Sequence, residues 1–199
     1  MGIRSLSSPL QPAVFLDRDG TLNRAFMHAG VSRPPTTEAQ LEVLPGVPES
    51  LALLKQAGFA LVVVTNQPDV ARGTLTRDAA EKINVALRER LPLIDDLLCC
   101  YHDDVDDCMC RKPQPGMLLA AASRLGLDMS RSFMLGDSWR DCGAGFRAGC
   151  TTIQLHTESS VPLQPYAPDY WAVDVSDASR IVLGVSRTEE GADGEDFRR

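Results

Sequence analysis

Two acidic residues directly follow a short apolar run near the start of the chain. The run at 14–16 (VFL) is β-branched and aromatic, which predicts a short buried strand, and Gly20 marks a turn after it. Asp17 and Asp19 therefore lie where a strand ends, which in open α/β sheets is the edge that binds ligands. One carboxylate beside a cation can attack phosphorus, and a second can protonate the leaving oxygen and then activate water. A solvated turn is the alternative.

A second apolar run also ends in polar side chains. Residues 59–64 are continuously apolar, which is typical of a strand covered by helices on both faces. Thr65 and Asn66 follow, and a hydroxyl and an amide at the end of a parallel strand suit a phosphate oxygen. Alternatively, these two residues only terminate the strand.

Three thiols and an imidazole are grouped in a short acidic segment. Cys100 and His102 form a C-x-H pair, and Cys108 and Cys110 form a C-x-C pair after five intervening residues. Four such ligands can close tetrahedrally around Zn²⁺ and leave no position for water, so we expect a structural zinc. Cys99 is an alternative to Cys100, and metal-free thiols are the alternative to zinc. We expect the aspartates of this segment to be solvated, namely Asp103, Asp104, Asp106 and Asp107.

Two cations follow the last of these thiols. Arg111 and Lys112 precede Pro115, which is well placed at the first turn of a helix predicted over 116–124. A cation here would offset the charge that builds up when a carboxylate attacks a phosphate dianion. A basic surface pair is the alternative.

A fourth motif follows a buried strand predicted over 132–135. That strand leads into Gly136 and Asp137, and Asp141 lies one helical turn further on. We expect Asp141 to support the site from behind or to cap the helix that begins here.

Taken together, these motifs resemble those of the haloacid dehalogenase superfamily of aspartate-dependent phosphatases. DRDGTLN (17–23) resembles its nucleophile motif, TN (65–66) its second motif, Lys112 its third and GDxxxD (136–141) its fourth. Within the superfamily, the chain is similar to the zinc-containing group that holds histidinol-phosphate phosphatase and D-glycero-D-manno-heptose 1,7-bisphosphate 7-phosphatase. The resemblance runs from about Val14 to Thr152. It implies a Rossmann-like α/β fold, a parallel sheet with helices on both faces and no separate cap domain.

The resemblance also implies a Mg²⁺-dependent phosphomonoesterase that forms an aspartyl-phosphate. Asp17 would be the nucleophile, and Asp19 would be the general acid and base. The Mg²⁺ ligands would be the carboxylates of Asp17 and Asp137 and the backbone carbonyl of Asp19, an oxygen-rich set that Mg²⁺ prefers. The phosphoryl group and the rest of the substrate would be held by Thr65, Asn66, Lys112 and Arg111.

The implied substrate is a small phosphorylated sugar or a similar metabolite. VARG (70–73) resembles the heptose enzymes, whereas the short spacing within 102–108 is nearer to the histidinol-phosphate pattern, and Ser138 stands where the group often has lysine. Our hypothesis is removal of the 7-phosphate of D-glycero-D-manno-heptose 1,7-bisphosphate. Histidinol phosphate or another small phosphometabolite is the alternative substrate. A catalytically silent phosphosugar-binding module is the alternative of another class, although Asp17 and Asp19 argue against it.

Length, charge and composition limit the other possibilities. The chain has 199 residues, of which 44% are hydrophobic, which is enough for one globular domain. A net charge of -7 argues against a nucleic-acid partner. We expect no signal peptide, no membrane span and a cytoplasmic monomer. We assign 1–11 to a flexible N-terminus, 12–185 to the phosphatase domain and 186–199 to a disordered tail.

Overall fold

The computed structural model describes residues 10–28, 31–156 and 165–195, and this part of the chain forms eight strands and five helices. The strands are β1 (Ala13–Leu16), β2 (Phe26–His28), β3 (Val31–Arg33), β4 (Ala60–Asn66), β5 (Asp96–Cys100), β6 (Phe133–Gly136), β7 (Thr151–Leu155) and β8 (Tyr170–Ala172). The helices are α1 (Val47–Gln56), α2 (Arg77–Arg90), α3 (Gly116–Leu125), α4 (Trp139–Ala148) and α5 (Val175–Glu195). Short 3-10 turns cover Glu38–Gln40, Asp104–Asp106 and Met129–Arg131.

Six strands form one parallel sheet in the order β5-β4-β1-β6-β7-β8. The central strands are continuously apolar because helices cover both of their faces. Leu16 is in register with Val63 on one side and with Leu135 on the other, so the segments that follow β1, β4 and β6 meet at one edge. The predicted α/β class with a parallel sheet and helices on both faces is confirmed.

Alternate side chains of the central strands pack on opposite faces of the sheet. Val14 and Leu16 of β1 face the layer of α1, α2 and α5, whereas Ala13 and Phe15 face α3 and α4. The helix residues in the first layer are Leu51, Leu54, Ile83, Leu87, Ala178 and Val182, and those in the second are Met117, Leu118, Ala121, Ala144 and Ala148. This two-sided burial makes the strand ends a rigid platform for polar side chains.

The direction of chain progression changes at β1. From β1 the sheet extends through β4 to β5, and the chain then returns to the other side of β1 with β6. Such a reversal leaves a crevice at the carboxyl ends of the strands, where α/β proteins bind ligands. The helices that leave this edge are capped locally, since the Thr76 hydroxyl accepts from the Ala79 N–H and the Ser138 hydroxyl accepts from the Arg140 N–H.

The segment 24–45, which its irregular composition predicts to be mostly loop, contains more regular structure than expected. β2 and β3 form a short antiparallel hairpin, and the chain then returns to pair Asn23 with Val43. Strands of three residues are too short to show a hydrophobic period, so the pairing had no detectable sequence pattern. In the described residues, the segments that follow the carboxyl ends of the sheet strands contain this hairpin and short turns, and none of them forms a separate cap domain.

The two chain ends also differ from the assigned boundaries. Helix α5 continues to Glu195, so 186–195 is helical where a disordered tail was predicted, while 196–199 lie outside the described residues. Val185 packs against the core, and once a helix has formed each further residue adds one hydrogen bond at little cost. At the other end, 1–9 lie outside the described residues, and the Gln11 N–H donates to the Gly126 carbonyl at 3.1 Å.

None of the helices in the described ranges combines the length and the apolar character needed to cross a membrane.

Core packing around β4 generates a stability prediction. Leu61 is fully buried, so Leu61→Ala removes packed methyl groups, and we expect a loss of about 2–5 kcal/mol in the free energy of unfolding. Leu53 on α1 is 48% exposed, so Leu53→Ala is the matched control, with an expected change of about 0.5 kcal/mol or less. Urea unfolding of both variants measures the difference, and similar losses would contradict the assignment of β4 to the core.

Candidate active site

A buried lysine joins two of the acidic motifs. The Lys112 ammonium donates to Asp17 Oδ1 at 2.6 Å, to Asp141 Oδ1 at 2.5 Å and to the Val64 carbonyl at 2.7 Å. Lys112 is 2% exposed, so its three donors are satisfied inside the protein. Asp141 also accepts from the Ser138 N–H at 3.0 Å, so it both contacts the lysine and caps α4.

Three carboxylates lie close together here, and two of them contact the ammonium group. One carboxylate oxygen from each of Asp17, Asp137 and Asp141 lies within 4.8 Å of the others. Gly20 has a φ of +84°, and a Cβ there would come within 2.2 Å of Asp137 Oδ2. Glycine is therefore required both by the backbone conformation and by the close approach of this carboxylate.

Burial and mutual repulsion perturb the ionisation of these groups. Burial, together with the charges of Asp141 and Asp19, raises the pKa of Asp17 from 3.8 to about 7 against the opposing effect of Lys112. Burial, together with the charges of Asp17, Asp141 and Asp19, raises the pKa of Asp137 well above its ordinary value. Burial lowers the pKa of Lys112, but the charges of Asp141 and Asp17 outweigh it, and the pKa is raised.

This arrangement has the donor set that a hard divalent cation requires. Asp141 is already engaged by Lys112 and by the Ser138 N–H, whereas Asp17 and Asp137 bring carboxylate oxygens together with only one ammonium to offset them. A second cation would relieve the repulsion that raises both pKa values. Carboxylate oxygens are the ligands that Mg²⁺ prefers, so these residues fit Mg²⁺.

Asp19 lies beside this cluster and is surrounded by donors. Its carboxylate accepts from Arg18 Nη2 at 2.9 Å, from Asn23 Nδ2 at 2.9 Å and from Gln67 Nε2 at 2.7 Å. Arg18 is completely buried and also donates to Asn84 Oδ1 at 2.6 Å. The side chain of Asp19 is thus fixed by Arg18 and Asn23, which follow β1, and by Gln67, which follows β4, while Asn84 of α2 holds Arg18.

Thr65 and Asn66 occupy different surroundings at the end of β4. Thr65 is buried, and its hydroxyl oxygen accepts from Gln67 Nε2 at 2.9 Å. The Asn66 amide exchanges two hydrogen bonds with the backbone of Lys112, of 2.9 Å and 3.0 Å. Asn66 therefore holds the backbone that carries the lysine, a role that the sequence did not suggest.

The thiols and the imidazole of the acidic segment form one cluster. Cys110 Sγ lies 3.2 Å from Cys100 Sγ, 3.4 Å from Cys108 Sγ and 3.2 Å from His102 Nδ1. Zinc–sulfur bonds of about 2.3 Å in a tetrahedron place sulfurs about 3.8 Å apart, so the cluster is compatible with Zn²⁺ after a small expansion. Cys99 lies on β5 outside this group.

Two aspartates of the thiol loop, which we define as 101–111, form ion pairs with arginines. Asp103 accepts two hydrogen bonds from Arg72, of 2.6 Å and 2.7 Å, and this pairing lowers the pKa of Asp103 to about 2. Asp104 accepts from Arg111 Nε at 2.7 Å. The expectation of solvated aspartates holds for Asp104, Asp106 and Asp107, which are exposed, whereas Asp103 is half-buried beside Arg72.

The predicted residues thus form two neighbouring groups. In the first, Lys112 contacts Asp17, and a carboxylate oxygen of Asp137 lies within 4.8 Å of one of Asp17. In the second, Gln67 links Asp19 to Thr65. Arg111 donates to Asp104 and to the His102 carbonyl, so its contacts lie within the thiol loop.

Four buried contacts of the site were not identified from the sequence. They are made by Arg18, Asn23, Gln67 and Asn84. Gln67 carried the clearest available signal, since a polar residue directly after the Thr-Asn pair extends the polar end of a buried strand.

Comparison with known proteins identifies the family. The model of the haloacid dehalogenase-like hydrolases matches residues 34–149. The chain belongs to this family of hydrolases, and the resemblance inferred from the sequence motifs is confirmed.

Two named relatives and one solved structure are similar to this chain over most of its length. The chain is 37% identical to the D-glycero-beta-D-manno-heptose-1,7-bisphosphate 7-phosphatase of Escherichia coli (strain K12), over 78% of this chain and 84% of that protein. It is 34% identical to the protein of the same name from Yersinia pestis, over 82% of this chain and 90% of that protein. A crystal structure of D,D-heptose 1,7-bisphosphate phosphatase from B. bronchiseptica, complexed with magnesium and phosphate, superposes with a TM-score of 0.73 and 26% identity, over 88% of this chain and 99% of that one.

The raised carboxyl pKa values predict pH-dependent stabilisation by Mg²⁺. The pKa of Asp17 lies above its ordinary value, so the folded metal-free protein holds more protons than the unfolded chain between about pH 4 and pH 7 and loses stability as pH rises through that window. Because the cation binds the deprotonated form, Mg²⁺ should raise the melting temperature more at about pH 8 than at about pH 5.5.

Thermal unfolding with and without Mg²⁺ checks this expectation. Asp137→Asn should lose most of the gain in melting temperature at the higher pH, whereas Asp177→Asn in the first turn of α5, outside the carboxylate cluster, should retain it. An equal gain at both pH values would contradict proton competition at these carboxylates.

Proposed function

We propose that the chain is a Mg²⁺-dependent phosphomonoesterase that acts through an aspartyl-phosphate. The observation that carries the proposal is the 2.6 Å contact between the Lys112 ammonium and Asp17, with Asp137 beside them. A buried carboxylate held by a lysine at the end of β1 can approach phosphorus while the cation offsets repulsion from the phosphate.

The reaction has two steps that use Asp17 and Asp19 in turn. An oxygen of Asp17 bonds to phosphorus as the bond to the alcohol oxygen breaks, and Asp19 gives that oxygen a proton. Water then attacks phosphorus, Asp19 takes a proton from it, and the bond between Asp17 and phosphorus breaks. Bound Mg²⁺, held by Asp17, Asp137 and the backbone carbonyl of Asp19, would neutralise phosphoryl oxygens.

Thr65 and Lys112 provide the remaining contacts to the phosphoryl group. Both side chains are buried at the same edge of the sheet. The Thr65 hydroxyl has a hydrogen to donate, whereas the Lys112 ammonium would exchange one of its three present acceptors for a phosphoryl oxygen. Asn66 acts indirectly, since its amide holds the backbone of Lys112. Arg111, at the end of the thiol loop, would contact the part of the substrate that is not transferred, after exchanging Asp104 for a substrate anion.

The substrate we propose is D-glycero-beta-D-manno-heptose 1,7-bisphosphate, cleaved at the 7-phosphate. The support is the 37% and 34% identity to enzymes of that name, each over more than three quarters of this chain. The short spacing between His102 and Cys108 favours histidinol phosphate as the second candidate, because this loop carries Arg111 beside the site.

A structural zinc is also part of the proposal. The Cys100, His102, Cys108 and Cys110 side chains would hold it. The loop they enclose has an exposed apolar residue at Val105 (90%) and no packed core of its own, so a metal would supply the missing cross-link. A monomeric, cytoplasmic enzyme stays our prediction.

Kinetics distinguish the candidate functions. Phosphate release should be faster, in kcat/KM, from the heptose bisphosphate than from histidinol phosphate, and faster turnover of the latter would reverse the assignment.

Asp17→Asn should reduce kcat by about 10³-fold or more because the nucleophile is lost, while Asp177→Asn should leave kcat unchanged. Full activity in Asp17→Asn would contradict the covalent mechanism. An inactive wild-type protein that still binds these phosphates would indicate the binding module.

Metal analysis tests the zinc site. We expect about one zinc per chain, and Cys108→Ser should reduce this content and lower the melting temperature. Cys99→Ser is the matched control, since Cys99 lies outside the cluster, and it should retain the metal. Unchanged zinc content in Cys108→Ser, or loss in Cys99→Ser, would contradict the proposed ligand set.

A further inference from the structure

The side chain of Gln67 connects Asp19 to Thr65. Gln67 is completely buried directly after β4, and its Nε2 lies 2.7 Å from Asp19 Oδ2 and 2.9 Å from Thr65 Oγ1. A carboxylate can only accept hydrogen bonds, so the nitrogen of the amide must face Asp19. One amide hydrogen therefore goes to each partner.

The backbone of Gln67 is held independently of these contacts. Its N–H donates to the Cys100 carbonyl at 2.7 Å, and its own carbonyl accepts from the Val70 N–H at 3.3 Å. The amide is therefore presented from a position set by the end of β5.

This arrangement determines which hydrogens remain free for a ligand. The Thr65 oxygen accepts from Gln67, so the hydrogen of its hydroxyl is left for another acceptor. Asp19 is held on one oxygen by Asn23 at 2.9 Å and on the other by Gln67 and by Arg18 Nη2 at 2.9 Å, and these contacts together fix the plane of the carboxyl group.

We propose that Gln67 is a positioning residue that orients the Asp19 carboxyl group and the Thr65 hydroxyl toward the same phosphate ester. The inference rests on the proposed function, in which Asp19 protonates the departing oxygen and Thr65 donates to the phosphoryl group. Proton transfer requires hydrogen-bond reach, so a misoriented Asp19 slows the esters whose leaving oxygen most needs the proton. Alkyl esters are of this kind, whereas p-nitrophenolate leaves without protonation.

The experiment compares β-glycerophosphate with p-nitrophenyl phosphate. Gln67→Met keeps the length of the side chain and removes both donors. We expect kcat to fall by about 100-fold with the alkyl ester and by less than about 10-fold with the aryl ester. Inhibition by inorganic phosphate should weaken as well, because the Thr65 hydroxyl loses its orientation.

Asn23→Ala separates the two effects and covers the case in which Gln67→Met does not fold. It removes a donor to Asp19 and leaves Gln67 and Thr65 in place. We expect the same preferential loss of alkyl-ester turnover, with inhibition by inorganic phosphate unchanged.

Ser132→Ala is the control for general destabilisation. The buried Ser132 hydroxyl accepts from the Ala13 N–H at 2.9 Å and donates to the Asp128 carbonyl at 2.5 Å, at the opposite edge of the sheet. Its loss should leave the ratio of the two rates unchanged.

Equal losses of kcat with the alkyl and the aryl ester, in Gln67→Met and Asn23→Ala proteins that fold, would overturn the inference. The proposed function fails separately, through retained activity in Asp17→Asn, so the two failures are distinguishable.

Discussion

The ion pair between Lys112 and the carboxylates of Asp17 and Asp141 is the interaction on which the site depends. Buried carboxylates at such short range repel one another, and burial alone disfavours their ionised forms. One ammonium with three hydrogen bonds compensates part of this cost, and a divalent cation would compensate more. The carboxylates of the site therefore repel one another, and a bound cation would relieve that repulsion.

The sheet supports this arrangement because its central strands deliver the functional groups to one edge. Asp17, Thr65 and Asp137 follow or end β1, β4 and β6, which are adjacent. Their backbones are held by ladders buried on both faces, so small displacements are costly. Lys112 is different, since it comes from a loop and needs separate support from the Asn66 amide.

The thiol cluster extends that support to the loop. Cys100 ends β5, and Cys110 immediately precedes the Arg111-Lys112 pair, so a bond network between them ties the loop to the sheet. Cys100 also accepts through its carbonyl from Gln67. In the sequence only Arg111 separates Cys110 of the cluster from Lys112 of the carboxylate site, so holding the thiols in place also restrains the backbone that carries the lysine.

Much of this molecule could be predicted from local chemistry. Apolar runs such as 59–64 predict buried strands because a two-sided core excludes polar residues, and the DxD motif indicates phosphoryl chemistry through the functional groups of Asp17 and Asp19. The grouping of Cys100, His102, Cys108 and Cys110 follows equally from spacing, since a short loop brings them within reach of one ion.

Only the tertiary structure decided the contacts between distant segments. Arg18 would point away from its acidic neighbours in an ideal strand, yet it folds back onto Asp19 and reaches Asn84 on α2. Gln67 contacts Asp19 across 48 residues of sequence. Such pairings leave no periodic signal, because they depend on how strands and helices pack and on the need of each buried polar atom for a partner.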